Sequence, residues 1–415
     1  MQATGIIAEY NPFHNGHLYH IQEIKRLTQQ PVIVVMSGSF MQRGEPAVLS
    51  KWQRASFAVQ GGADLVLELP CVFTLRSAEF FAKGAVQLLA ATGCVNTIAC
   101  GTEHPQSDFE AAASLACSAE AQARLRELLQ SGSSYAQAWE KILGANTAFR
   151  TPNDILALEY TKALLQTAAD IQPLYLQRTD EGYNSTSIGN SIASASAIRR
   201  AMADGNESWQ QAVPDYTHAA LAAGGYNAQL LWLLLKYRLR LLTPQQLAER
   251  CEASEGLENL LNKAADCASL QTALAACSSK RYTASRIRRL LLQILLDLPK
   301  AVWQKQVPAY LRVLAFNDTG RQMLHTMKTN AQLPIISKLG KNALCNDSVA
   351  YRTQLSAEVT ATDLWSLLQK DAALNRSGND FYQSPVYVKI GRAHVSILPK
   401  SSLRQQKSCN AGAFA

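Results

Sequence analysis

The sequence predicts an α/β protein in which a parallel sheet flanked by helices occupies the first half and a mostly α-helical part follows. Two observations carry this. Short apolar runs rich in β-branched residues alternate with helix-spaced segments from residue 3 to about residue 177, the pattern of successive strand–helix units. Beyond about residue 215 the chain changes to longer amphipathic stretches rich in Leu, Ala, Arg and Gln.

Residues 3–10 (ATGIIAEY) read as a buried strand, closed by the turn pair Asn11-Pro12. Residues 18–27 have helical spacing, 31–36 (PVIVVM) form a second buried strand and 53–60 a helix. A third strand at 63–69 (ADLVLEL), a helix at 78–91 and a fourth strand at 97–100 follow. Residues 107–145 read as helical, and 153–168 as a further helix carrying Leu156, Leu158, Tyr160, Leu164 and Leu165. A strand at 171–177 precedes a Gly/Asn/Ser-rich stretch, 182–196. The later helices are placed at 230–241, 244–251, 285–298 and 362–374.

A chain of 415 residues is long for one core, since single cores stop growing beyond roughly 250 to 300 residues. The expected division is 1–215, 216–388 and a tail, 389–415, in which KIGRAHV resembles a translated sequencing adapter and whose origin is doubtful. The apolar fraction of 47% and charged fraction of 17% belong to a folded protein. Glu9, Asn11, His14, Glu23 and Lys25 interrupt any signal-peptide core, and no apolar 20-mer follows, so a cytoplasmic protein without a membrane partner is expected. Nine cysteines without a CxxC pair or zinc-ligand spacing predict neither a disulfide framework nor a metal site. Charge is divided: residues 1–210 hold 15 Lys/Arg against 19 Asp/Glu, and 211–415 hold 25 against 13. This suggests an enzyme module joined to a polyanion-binding one, the alternative being a solvated basic surface.

The strongest local signal is a strand, then Asn11-Pro12-Phe13-His14-Asn15-Gly16-His17, then a helix. Attack on the α-phosphate of ATP builds negative charge on phosphorus and on departing pyrophosphate, so fixed donors are needed along the phosphates. His14 and His17 supply side-chain donors, Gly16 allows close approach, and a helix starting near His17 or Leu18 offers its positive end. A histidine-containing turn is the plainer reading, but the first strand-to-helix junction of an α/β sheet is where such folds bind ligands. About 180 residues on, Ile192-Ala193-Ser194-Ala195-Ser196-Ala197-Ile198-Arg199 has the form of the Ser-Ser-Thr-x-Ile-Arg element that closes nucleotidyltransferase domains. There Ser194, Ser196 and Arg199 would meet phosphates, and the serines would also serve as an N-cap.

These motifs resemble the HxGH nucleotidyltransferase superfamily, which implies a Rossmann-like ATP-binding domain. The runs GIIAEYNPFHNGHLYH, MSGSFMQRGEPAVLSKWQRA, DLVLELP, NDILALEY and SASAIR are similar to those of the bacterial tRNA(Met) cytidine acetate ligase family. The likeness is dense over residues 1 to about 200 and thinner through KRYTASRIRR, YLRVLAFNDTG and PIISKLGK. It implies acetate activation by ATP to acetyl-AMP, then acetylation of N4 of the wobble cytidine in elongator tRNA(Met), with Mg²⁺ held mainly by the phosphates and no coenzyme A. The family's ATP-binding stretch falls on Ile7, Ala8, Glu9, Tyr10, Asn11, Pro12, Phe13, His14, Asn15, Gly16, His17, Leu18, Tyr19 and His20, with further contacts at Gly101, Asn153 and Arg178. Gly101 would otherwise be a turn glycine, Asn153 a helix cap and Arg178 a surface arginine.

The loop 37–54 carries Arg43, Lys51 and Arg54, able to neutralise pyrophosphate or tRNA backbone unless the loop is simply solvated. Lys280, Arg281, Arg286, Arg288 and Arg289 crowd around Tyr282. On a helix, Arg281 and Arg288 share a face and Arg286 neighbours Arg289, giving a basic stripe for RNA or an ordinary solvated face. The rival readings are a small-molecule adenylyltransferase or pantothenate-synthetase-like ligase, which needs no basic helical half, and a class I aminoacyl-tRNA synthetase, for which no Lys-Met-Ser-Lys-Ser-like loop is present. An RNA-binding protein with a degenerate nucleotide site is a third, opposed by the intact His14 and His17.

Overall fold

The computed structural model describes residues 1–389 except 134, 145–150, 168, 179–192, 254–255, 280–281, 305 and 341. Eight strands form one sheet in the order β5-β4-β1-β2-β3-β6-β7, with β8 also on β6. They are β1 (Ala3–Ala8), β2 (Val32–Ser37), β3 (Leu65–Leu69), β4 (Val95–Thr102), β5 (Gln172–Gln177), β6 (Leu311–Phe316), β7 (Ile335–Ile336) and β8 (Val386–Tyr387). β1 to β5 are mutually parallel, and β6 runs antiparallel to β3. The strands read from sequence at 3–10, 31–36, 63–69, 97–100 and 171–177 thus lie side by side.

β2 shows why. All six of its residues are buried, Ile33 and Val35 entering one core and Val32, Val34 and Met36 the other, as a strand covered on both faces requires. Helices α1 (Asn15–Thr28) and α2 (Lys51–Gln60) cover one face, and α3 (Ala78–Ala91) and α4 (Pro152–Leu165) the other. Residues 109–143 form three helices, the first two opened by the caps Asp108 and Ser118. α5 (Ala195–Ala203) follows, and α6 (Ala228–Leu241), α7 (Ala284–Leu296), α8 (Asp318–Asn330), α9 (Val349–Leu367) and α10 (Asn379–Tyr382) are the later elements used below.

The second half of the chain also enters the sheet. β6, β7 and β8 all come from it, and Leu235, Leu239, Ile287, Leu291 and Trp365 share one core with Leu67, Phe81 and Leu158. The position near residue 215 therefore divides neither the sheet nor this core. The helix expected at 362–374 is α9, which begins at Val349 and ends at Leu367. Residues 390–415, including all but the first residue of the expected tail, lie outside the described residues.

A buried ionic cluster joins the halves. Lys51 Nζ lies 2.6 Å from Glu68, 2.8 Å from Asp380 and 3.5 Å from Glu358, and Arg312 lies 3.2 Å from Glu68 and 2.6 Å from Asp380. Lys51 is 1% exposed, so its expected contact with RNA or pyrophosphate is corrected: the side chain is enclosed by Glu68, Glu358 and Asp380 and cannot meet a solvent-borne phosphate. Arg54 is likewise buried, donating to the carbonyls of Leu49, Glu9, Ser37 and Gly38, where it fastens the C-terminal ends of β1 and β2.

Two cations face three carboxyl groups in this cluster, and burial followed by the Glu68 charge raises the Glu358 carboxyl well above its ordinary value. Glu358 thus keeps its proton, and stability linked to that proton is complete below the ordinary value of 4.5 and is lost as pH rises through the elevated one. Glu358→Gln retains a donor for Glu68 and an acceptor for the Cys71 N–H, which now binds Glu358 Oε2 at 2.7 Å. Urea titrations from pH 5 to 9 are expected to show a flatter stability profile for this variant, within about 1 kcal/mol of the unaltered protein at neutral pH.

Candidate active site

The end of β1 creates the site. Tyr10 adopts φ 50° and the Asn11–Pro12 peptide is cis, after which His14 forms the N-cap of α1. His14 Nδ1 accepts from Gly16 N at 3.1 Å, and His17 Nδ1 accepts from His14 N at 3.4 Å. The His-x-Gly-His spacing is therefore a capping box in which imidazoles take the usual roles of Ser and Glu. The helix starts two to three residues earlier than the sequence suggests, because the histidines are the cap.

Accepting at Nδ1 puts the proton of each neutral ring on Nε2. The two rings stack with centroids 3.6 Å apart, and Tyr10 meets His17 edge-on at 4.8 Å. Desolvation, then the neighbouring His14, Arg178 and His20, pushes His17 well below the ordinary imidazole value. Desolvation and Arg178 lower His20 to about 4. Near neutral pH both rings are uncharged N–H donors, suited to an incoming polyanion without prior charge repulsion from Arg178.

His14, Gly16, His17, Tyr19 and His20 line a cavity of about 730 Å³, together with Ile7, Ala8, Glu9, Tyr10 and Asn11. Four residues of the expected continuous stretch do not line it. Phe13 is buried in the core beneath α1, Leu18 packs against that core, Pro12 is buried, and Asn15 donates to Gln211 O at 3.0 Å. Helical periodicity explains Leu18: it lies on the face of α1 opposite His17 and His20.

Gly101, Asn153 and Arg178 also line the cavity. A Cβ on Gly101 would stand 3.2 Å from Arg178 Cγ, so this glycine lets the arginine lie flat across β4. Asn153 is not the cap of its helix; Thr151 is, and Asn153 donates to Glu103 at 2.6 Å. Glu103 also lies 3.9 Å from Arg178, and its neighbour His104 binds the buried Asp154 at 2.7 Å. Burial alone would raise the Asp154 carboxyl, but hydrogen bonds from Thr102, Thr151 and His104 outweigh it and hold it low. Glu103 and Asp154 were not singled out from sequence, where nothing distinguishes them from solvated acids.

The second motif converges here. Ser194 caps α5 by accepting from Ala197 N at 3.2 Å, and Ser194, Ser196 and Arg199 all line the cavity. Arg199 donates to Asn11 O at 2.7 Å and pairs with Glu45 at 3.0 Å, bracing the histidine loop against the loop 41–45. Arg43 lines the cavity rather than an outer RNA surface, close enough to Glu9 and Arg199 for their charges to act on it.

The basic run divides. Lys280 and Arg281 lie outside the described residues. Arg286 sits 5.0 Å over the Tyr282 ring. Arg288 and Arg289 depart from the expected stripe: Arg288 pairs with Glu45 at 3.1 Å and Arg289 donates to Gln42 O at 3.0 Å. They are turned inward because loop 41–45 packs on α7. Thr283 and Ser285 at the start of α7 complete the cavity wall and were missed as site residues. Gly44, at φ +76°, rests directly on that helix; a Cβ there would come within 2.5 Å of Arg288 Cβ and 2.6 Å of Arg289 N. Gly44→Ala is expected to displace the loop and weaken ATP binding by about tenfold, read by calorimetric titration, since small misplacements of positioning groups carry large costs.

Eight described cysteines are unpaired, and burial pushes the Cys100 thiol in the cavity wall up to about 12, which makes it a poor nucleophile. No described helix is long and apolar enough to cross a membrane.

A family model for the HIGH Nucleotidyl Transferase matches residues 1–380. The chain is 41% identical to the tRNA(Met) cytidine acetate ligase of Leuconostoc mesenteroides over 93% of its own length and 99% of that protein's. It is 36% identical to the tRNA(Met) cytidine acetate ligase of Alkaliphilus metalliredigens, with 94% and 99% covered. Thermotoga maritima TmcAL bound with alpha-thio ATP has a TM-score of 0.84 at 31% identity, covering 94% of this chain and 100% of that one. By these matches and by its histidine capping box, the chain belongs to the HIGH nucleotidyltransferase family, among the tRNA(Met) cytidine acetate ligases.

Proposed function

We propose that this chain is an ATP-dependent, AMP-forming ligase that acetylates the wobble cytidine of elongator tRNA(Met) from acetate through acetyl-AMP. The observation that carries the reading is the stacked pair of imidazoles His14 and His17, facing a cavity that also receives the start of α7 from the basic half of the chain.

In the first step an acetate oxygen attacks the α-phosphorus of ATP and pyrophosphate leaves. His14 and His17, with Arg43 and Arg199, meet the charge that develops on the phosphates, and Gly101, Asn153 and Arg178 hold the nucleoside. The donors around the cavity are imidazoles, guanidiniums and hydroxyls, a set that fits phosphate oxygens. A magnesium ion held mainly by the phosphates would add charge neutralisation. In the second step the cytidine leaves the anticodon stack, because an amine within it cannot reach a mixed anhydride at the cavity floor. Residues 1–215 would hold the nucleotide, and 216–388 the tRNA, with Arg286 and the undescribed Lys280 and Arg281 as candidate backbone contacts. A cytoplasmic location fits these substrates.

Two assays test this. Purified protein with labelled acetate, ATP and tRNA(Met) transcript is expected to place label in the tRNA, and its absence would refute ligation. Label is expected to exchange between pyrophosphate and ATP only when acetate is present, which separates adenylate formation from hydrolysis. A small-molecule adenylyltransferase would show neither tRNA labelling nor acetate dependence.

A further inference from the structure

Acyl transfer to cytidine needs a proton acceptor. The N4 lone pair is delocalised into the pyrimidine, so attack on the acetyl carbon becomes productive only as N4 loses a proton. We propose that Glu9 is the general base of this second step, an inference that rests on the ligase reading above.

Glu9 follows β1, lines the cavity, and accepts from Gln42 N at 2.5 Å through Oε1. Gln42 in turn offers its carbonyl to Arg289 of α7, so Glu9 stands on the wall linked to the basic half, from which the tRNA would approach. No ion pair within 4.0 Å engages Glu9 among the described residues, unlike the other two carboxylates of the wall: Glu23 is bound by Arg26 at 2.6 Å, and Glu45 by Arg199 and Arg288. The carboxylate therefore has an oxygen to spend on substrate.

Four other titratable groups of the wall are poorly suited to the task. His17 and His20 are pushed down, so they hold a proton weakly. Cys100 and Tyr160 are pushed up by burial and remain protonated donors. Burial raises the Glu9 carboxyl, opposed by the Gln42 N–H and then by Arg43, Arg199 and Arg54, which makes its carboxylate a stronger base than that of a solvated glutamate.

The step balances as follows. The N4 lone pair forms a C–N bond to the acetyl carbonyl carbon, the bond from that carbon to the adenylate oxygen breaks, and AMP departs with the electron pair. Glu9 takes one N4 proton and later releases it to water.

Glu9→Gln keeps an acceptor for Gln42 N but cannot take a proton. The variant is expected to lose transfer from acetyl-AMP to tRNA by about 10²-fold or more, the usual contribution of a positioned base, a far larger loss than it suffers in acetate-dependent pyrophosphate exchange. Both rates are read on the full chain, transfer in single-turnover mode, and retained exchange shows that the variant folds and binds ATP. Equal loss of both rates would overturn the assignment in favour of a loop-holding role, and undiminished transfer would overturn it outright. Absence of exchange in the unaltered protein is a distinct result: it overturns the ligase reading, and this assignment with it.

Discussion

His17→Ala is expected to lower acetate-dependent pyrophosphate exchange by about 10² to 10³, the cost of one preorganised donor to developing charge. The change removes the Nε2 donor, the stacking partner of His14 and the side-chain half of the capping box together. A cap of this kind contributes about 1 kcal/mol, so some thermal destabilisation accompanies the loss. His17→Gln separates these effects. Glutamine is the ordinary residue at this capping position and can accept from His14 N, but it presents no imidazole donor in the same place. Melting temperature near that of the unaltered protein, with exchange still depressed, is the expected outcome; recovery of both would show that His17 acts only as a cap.

Lys51→Met is expected to destabilise the fold by about 3 to 5 kcal/mol, because removing one partner leaves buried carboxylates without compensation. Among the described residues, Arg312 would be the one cation left to Glu68 and Asp380. Urea midpoints measure the loss. The double change Lys51→Met with Glu68→Gln should recover a large part of it, since the variant then buries one charge fewer. A Lys51→Met protein as stable as its parent would show that the cluster tolerates a bare carboxylate.

The same cluster explains what the sequence concealed. Charged residues are rarely buried, so Lys51 reads naturally as a phosphate contact in a polar loop, and nothing local betrays partners some 300 residues away. α9 was misplaced for the same reason. Its buried face carries Gln354, Glu358 and Thr362, so the apolar period that marks a helix is broken where the ion cluster lies. β6 was not read as a strand, its apolar run being interrupted by Arg312, another member of the cluster. By contrast β2 and β3 were legible because they are short, mainly apolar runs buried along their whole length, and the first wall of the cavity was legible because its histidines and serines fall in fixed order at helix starts. The second wall was not: Thr283 and Ser285 look like any helix opening until the fold brings α7 against loop 41–45.

The antiparallel pairing of β6 with β3 also governs how the protein can be divided. A fragment ending near residue 215 would leave Leu65–Leu69, a strand of sequence LVLEL, as a bare sheet margin, with Glu68 stripped of Arg312. Exposed apolar edges of this kind recruit other chains. Residues 1–215 expressed alone should therefore precipitate or self-associate, and the later strands serve as the sheet's built-in protection against aggregation.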